Sequence, residues 1–373
     1  MKFIIETKLK WKTTKVIILD KDDNEVLSKD IEFVDNLYSL NIKNENAFKM
    51  YFTNGKVCSE HIALSDNLSK ISLYQNKKTH LITANLFVDK CSDYGKVETY
   101  VLEDKINLYY REDTSKIINV LVPPKYNKNK TYKLLIVFDS QNMFDVNKVG
   151  KYTKNNDPYG GWQVETSLKQ ISKRYKKDYI VVGIENADMY RMSELTPSLR
   201  RPKIRKEFYQ EVIEDTFGVM HLNDLDAFIH ETLLPFIKDK YNVESKYSIL
   251  GSSCGGLASL YVGLRNISLC ETVYCFTPAS ALFEDKTIIK MFKSFKFKKH
   301  YNELPYFFFF QGGSGQLEML LKLGNKDLVS NLIKTGYDES KIYTYLEDSA
   351  DHNEDAWRFA FNFGVEKAHK FHE

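Results

Sequence analysis

The chain is poor in the features that mark specialised classes. It has five cysteines, Cys58, Cys91, Cys254, Cys270 and Cys275, an odd number with none in C-x2-C spacing. That argues against a zinc knuckle or a dithiol redox motif and makes reduced thiols the expectation. Its eight histidines are scattered without HExxH or another metal-ligand spacing, so no metal is expected. Long apolar runs are missing too: none reaches the roughly 18 to 20 residues of a membrane span. The first fifteen residues, MKFIIETKLKWKTTK, carry charge where a secretory segment needs an apolar core. We therefore expect a cytoplasmic protein with no membrane partner. Nor does one sign of charge dominate: 53 Lys and Arg face 50 Asp and Glu, a net +3. That gives no electrostatic case for nucleic acid. Lysine runs at 125–130 and 293–299 read as solvated faces. Internal repeats, low-complexity tracts and proline-rich linkers are absent.

What is present is ample apolar material. Hydrophobic residues make up 43% and aromatics 14% of 373 residues, enough for a sizeable core. At about 150 residues per domain the length suggests two or three domains. Residues 1–92 read as short alternating strands at 3–6, 15–19, 37–42, 48–53 and 80–87, separated by polar turns, and predict a small antiparallel β-sandwich. Residues 93–373 instead alternate strands with helix-length stretches. Strands are expected at 117–122, 133–139, 179–185, 247–250, 272–276, 306–310 and 341–346, and helices at 164–175, 222–241, 254–264, 327–335 and 355–369. Apolar strands buried on both faces imply a mostly parallel sheet flanked by helices.

The sharpest local signal is Gly251-Ser252-Ser253-Cys254-Gly255, where an apolar strand runs through G-x-S-x-G into a helix. A tight strand-to-helix turn leaves no room for side chains two before and two after its serine. Glycines at 251 and 255 meet that demand around Ser253, whereas Ser252 would need them where Leu250 and Cys254 stand. Ser253 is therefore the expected nucleophile. A serine hydroxyl needs a positioned base, usually an imidazole held by an acid. In the α/β-hydrolase order of serine, acid, histidine, His352 fits, in the loop between the last strand and the last helix. Glu318 is the one carboxylate in the glycine-rich loop after the strand at 306–310. Asp348 and Asp351 are rivals, and a Ser-His dyad without an acid is a further alternative. An oxyanion hole needs two N–H donors, expected from the backbones of Cys254 and Gln141.

Several ordered segments resemble the esterase family of α/β-hydrolases that includes esterase D, feruloyl and acetyl-xylan esterases, and enterochelin-esterase-like hydrolases. They are 121–126 (LVPPKY), 138–145 (FDSQNMFD), Gly161-Trp162, Val182-Gly183-Ile184, 251–257 (GSSCGGL), 277–279 (TPA) and 352–357 (HNEDAW). The resemblance covers residues from about 95 to the end. It implies an α/β-hydrolase fold, a carboxylic ester substrate that is a small molecule or sugar-linked, no cofactor, and catalytic roles for Ser253 and His352 with the acid in the loop that holds Glu318. Two departures stand out: Ser140 replaces the family's usual glycine, and the loop at 312–318 is longer than the family's.

Trp162 and Trp357 are candidates to line an acyl or sugar pocket, and Arg191 and Glu194 to contact substrate from the long segment after the strand at 179–185. Cys254 is expected to be buried, although a helix-start position can lower a thiol pKa. The amino-terminal module resembles carbohydrate-binding or immunoglobulin-like domains; it binds sugar, shapes the active-site mouth or mediates a homodimer. Acyl transfer to a sugar acceptor and a non-catalytic binding protein on a hydrolase scaffold are the alternatives to hydrolysis.

Overall fold

The computed structural model describes residues 2–59 (without 12, 21, 35, 45, 46 and 48), 61–64, 68–75, 82–88, 94–103, 115–144 and 161–371 (without 217). The amino-terminal strands are β1 (Lys2–Thr7), β2 (Thr14–Leu19), β3 (Glu25–Ile31), β4 (Leu37–Asn41), β5 (Lys49–Thr53), β6 (Ile62–Ala63), β7 (Leu68–Gln75) and β8 (Ile82–Val88). They pair in two four-stranded sheets, ordered β4-β1-β7-β8 and β3-β2-β5-β6. Ile5, Leu40, Ile71 and Leu73 of one sheet meet Val16, Ile18, Met50, Phe52 and Ile62 of the other in a common core, so the expected sandwich forms. It is not wholly antiparallel: β1 and β7 run parallel. Between β1 and β7 the chain crosses to the second sheet twice, returning first as β4, antiparallel to β1, and then as β7, parallel to it. The expected division at 92/93 falls outside the described residues.

The large sheet has eight strands, β9 (Lys96–Glu103), β10 (Ser115–Val122), β11 (Tyr132–Phe138), β12 (Tyr179–Ile184), β13 (Val243–Ser252), β14 (Cys270–Phe276), β15 (Tyr306–Gly312) and β16 (Ile342–Glu347). Their order is β16-β15-β14-β13-β11-β12-β10-β9. Every pairing from β12 to β16 is parallel, and β10 alone runs against its neighbours. This is the α/β-hydrolase arrangement. Ten helices accompany it among the described residues: α1 (Val164–Tyr175), α2 (Arg191–Leu195), α3 (Tyr209–Thr216), α4 (Leu222–Phe228), α5 (Leu234–Lys240), α6 (Cys254–Arg265), α7 (Asp285–Ser294), α8 (Gln316–Asn325), α9 (Leu328–Lys334) and α10 (Glu354–Phe371). The single helix expected at 222–241 is α4 and α5 joined by a π-helical turn, Ile229–Leu233.

Side-chain alternation explains the aromatic run in β15. Phe307 and Phe309 enter the core under α6 and α7, while Phe308 and Phe310 enter the opposite core under α1 and α10. A strand buried on both faces has no solvent side, hence no polar alternation. Parallel pairing also carries the ends of β13, β14, β15 and β16 to one edge of the sheet, where ligands of open α/β sheets bind. No helix among the described residues is long and apolar enough to cross a membrane. Phe308 is fully buried, stacks on Tyr343 and packs against Tyr274, Phe276 and Phe363. Phe308→Ala is expected to lower stability by about 3–5 kcal/mol, read as a fall in the urea unfolding midpoint.

Candidate active site

Ser253 joins β13 directly to α6 with φ 54° and ψ −121°, a backbone region that side-chain-bearing residues rarely occupy. The glycines make the turn possible. A Cβ on Gly251 would lie 2.3 Å from the Gly255 carbonyl oxygen, and one on Gly255 would lie 3.0 Å from the Asp139 carboxylate. The turn is tied to the next strand: the Ser253 N–H donates to the Phe276 carbonyl, and the Ser253 carbonyl accepts from the Ala279 N–H, both at 2.9 Å. Cys254 is the first residue of α6, so its N–H lies outside the helix ladder.

After β16 the chain turns through residues 347–353 into α10, placing His352 at the same sheet edge. Its Nδ1 is 3.0 Å from Glu318 Oε1. Glu318 lies in the first turn of α8 and is 0% exposed; its other oxygen accepts from Gln311 Nε2 at 2.8 Å. Both carboxylate oxygens are thus engaged, and the imidazole ring is held by one of them. Of the rival acids, Asp348 is 79% exposed and pairs with Lys322, while Asp351 accepts the backbone N–H of His352 rather than its ring. Trp357 packs edge-on against His352, with ring centroids 5.0 Å apart.

The loop after β11 lies beside the elbow. Asp139, in the left-handed region at φ 58°, receives Arg191 Nε and Nη2 at 2.6 and 2.8 Å and Asn186 Nδ2 at 2.6 Å. Burial would raise the Asp139 pKa, but the Arg191 guanidinium and these hydrogen bonds outweigh it and hold the pKa below the usual carboxylate range. Ser140 and Gln141 follow in a short 3-10 turn. Ser140 needs no glycine there, because the turn has ordinary helical geometry and the space its side chain fills is vacated across the sheet. A Cβ on Gly183 would lie 2.3 Å from the Ser140 Cβ. Gln141 Oε1 accepts the Asn186 N–H at 3.4 Å. Asn142 Nδ2 donates to Glu354 Oε1 at 3.0 Å, which ties this loop to the start of α10.

Not every expected site residue faces open space. Trp162 is 1% exposed, stacked on Phe276 and beside Trp357. Trp357 is also buried, so Trp162 packs in the core behind Trp357, and Trp357 meets the His352 ring. Glu194, expected as a substrate contact, is 1% exposed, ion-paired with buried Lys116, and accepts the Ala187 N–H at 3.2 Å. A carboxylate among apolar helices survives only with such a partner, and this one turns inward to meet it. Arg191 is 31% exposed, but two of its nitrogens brace Asp139. Gln311, Asn186 and Glu354 carry hydrogen bonds that orient the site and were not expected to; Asn186 and Glu354 bind partners 47 and 212 positions away, which no local pattern reveals, and Gln311 reaches Glu318 across the glycine-rich loop, seven positions on. Among the described residues no three His, Cys, Asp or Glu side chains gather to hold a metal.

The family described as "Putative esterase" matches residues 113–365, and the chain belongs to that family, whose members hydrolyse carboxylic esters. No curated protein matches the chain. Solved structures of similar fold include the siderophore hydrolase EstA from Aspergillus nidulans, 14% identical, TM-score 0.55, with 75% of this chain and 96% of that one covered. EstB from the same organism is 16% identical at TM-score 0.52, over 73% and 94%. A ferulic acid esterase is 16% identical at TM-score 0.50, over 74% and 99%.

Burial raises the Cys254 thiol pKa, a rise that the nearby Arg191 opposes without reversing. The neutral thiol is unreactive, whereas Cys58 is exposed. Peptide mapping after brief iodoacetamide treatment at pH 7.5 should find carboxamidomethyl on Cys58 well before Cys254. Equal labelling of the two would contradict the buried, protonated state.

Proposed function

We propose that the chain hydrolyses its ester through an acyl-enzyme on Ser253. The Ser253 hydroxyl attacks the carbonyl carbon while His352 Nε2 takes its proton; the tetrahedral intermediate collapses as His352 returns the proton to the departing alcohol. Water, deprotonated by the same imidazole, then releases the acid and restores the serine. Glu318 holds Nδ1, fixing the ring and stabilising the imidazolium. The backbone N–H groups of Cys254 and Gln141 meet the oxyanion.

The observation that carries this reading is the 3.0 Å contact between Nδ1 of His352, in the turn after β16, and fully buried Glu318, in the first turn of α8, at the sheet edge that also presents the strained serine. Neither departure from the family's motifs disturbs these contacts. Ser140 is accommodated opposite Gly183, and Glu318 reaches the ring from α8. We read residues 93–373 as the catalytic unit and 1–92 as a module with its own core. The fold neighbours are named for siderophores and ferulic acid, so esters of both kinds belong in the substrate panel.

Turnover of p-nitrophenyl acetate and butyrate by the wild-type chain, beside Ser253→Ala and Glu318→Gln, tests the mechanism. Ser253→Ala should abolish turnover to the limit of detection, and a fluorophosphonate should label the wild-type peptide that contains Ser253. Glu318→Gln should lower kcat by about 10³–10⁴-fold with little change in KM. Undiminished turnover in Ser253→Ala, or label on another residue, would overturn the assignment.

A further inference from the structure

A buried charge cluster joins the amino-terminal sandwich to the turn that carries His352. At its centre is Glu347, the last residue of β16. Glu347 Oε2 lies 2.8 Å from His61 Nδ1, 3.3 Å from Lys49 Nζ and 3.1 Å from the Tyr345 hydroxyl, and Oε1 accepts from Ser349 Oγ at 2.8 Å. Lys49, at the head of β5, is 1% exposed; its ammonium also meets Asp23 and the Tyr345 hydroxyl and lies 5.1 Å from the Phe359 ring of α10. The His61 backbone N–H donates to Ser349 Oγ at 3.4 Å.

From this cluster the hydrogen bonds run directly into the site. The Glu347 carbonyl accepts from the Ala350 N–H at 3.0 Å, and the Ala350 carbonyl accepts from the N–H groups of Gly313 and Ser314 at 3.1 and 2.9 Å. Ala350 thus joins the histidine turn to the loop that leads to Glu318, two residues before His352. Burial would raise the Glu347 pKa, but His61 and Lys49 outweigh it and bring it down to about 2, so the carboxylate stays charged through the neutral range. A buried ion pair is a weak source of net stability compared with apolar packing of the same volume. What four donors on one carboxylate do supply is a fixed position.

We infer that Lys49 and His61 of the amino-terminal sandwich are positioning residues for ester hydrolysis, acting through Glu347 to hold the 347–350 turn and hence His352 in register with Glu318. This assigns the sandwich a part in the reaction without contact to substrate, and it rests on His352 being the catalytic base.

The test uses the full-length chain, with kcat and KM on p-nitrophenyl acetate, the rate of fluorophosphonate labelling, and a thermal melt for each variant, all assayed well below the lowest melting transition. Lys49→Met and the near-isosteric Glu347→Gln should each lower kcat and the labelling rate by about ten- to a hundredfold, the scale of a misplacement near 1 Å, with KM within about twofold. The double variant should be no worse than the more damaged single, since both break one linkage. His61→Gln should fall in the same direction by a smaller factor, as it removes one donor of four. Ile18→Ala, a cavity in the sandwich core away from the cluster, should lower the melting temperature and leave kcat unchanged. The inference is overturned if folded Lys49→Met and Glu347→Gln keep kcat within about twofold, if their effects multiply, or if Ile18→Ala loses as much activity as they do. His352→Ala separates the two levels. If it retains turnover, the reading of His352 as base fails and takes the inference with it; if it is dead while the cluster variants are fully active, only the inference fails.

Discussion

The constraint on which the site depends is steric and lies within five residues. To leave a strand and enter a helix with no loop between, Ser253 must adopt φ 54° and ψ −121°, a conformation that costs roughly 1–3 kcal/mol and persists only where its surroundings over-determine it. Those surroundings are the parallel pairing of β13 with β11 and β14, the twelve-residue helix α6, and the hydrogen bonds of Ser253 to Phe276 and Ala279. The elbow in turn dictates the neighbours. A side chain at Gly255 would crowd Asp139, whose carboxylate stands 3.0 Å from where its Cβ would be and is held there by Arg191 and Asn186.

Because that constraint is local, it was readable in the residues. G-x-S-x-G around Ser253 states the clearances directly, and the apolar strand before it and helix after it state the context. His352 was readable through its place after the last strand and its HNEDAW segment, and Glu318 as the one carboxylate of its loop. The helix that carries Glu318 was not expected: in residues 316–325 the apolar positions Leu317, Met319, Leu320, Leu321 and Leu323 surround the axis, and Leu317, Met319 and Leu323 are exposed, so no clean stripe marks it. Strand β3 was missed for the opposite reason. Residues 28–30, Ser, Lys and Asp, are all exposed on an edge strand held by its pairing with β2 rather than by burial.

Charge was the least legible quantity. Lys49, Lys116, Glu194 and Glu347 are indistinguishable in the chain from the dozens of solvated lysines and glutamates around them, yet all four are buried. Burial of a charge is decided by a partner, and here the partners come from other elements: Glu194 from α2 for Lys116 of β10, and Glu347 of β16 for Lys49 of β5. Periodicity reports which face of an element is apolar; it carries no information about which polar residue meets its counter-charge across the fold. Aromatic placement was no more legible: Trp162 and Trp357, candidates to line a pocket, are buried against each other, with Trp357 edge-on to His352.

The bond between Lys49 and Glu347 spans 298 positions of the chain. A ribosome therefore makes the sandwich long before it makes the turn that the sandwich grips, and contacts of such sequence separation are among the slowest to form. An emerging chain with a complete Ser253 elbow still lacks β16, the histidine turn and α10. In the order of synthesis Lys49 therefore precedes its counter-charge by most of the sheet, and the cluster can close only once Glu347 at the end of β16 has been made.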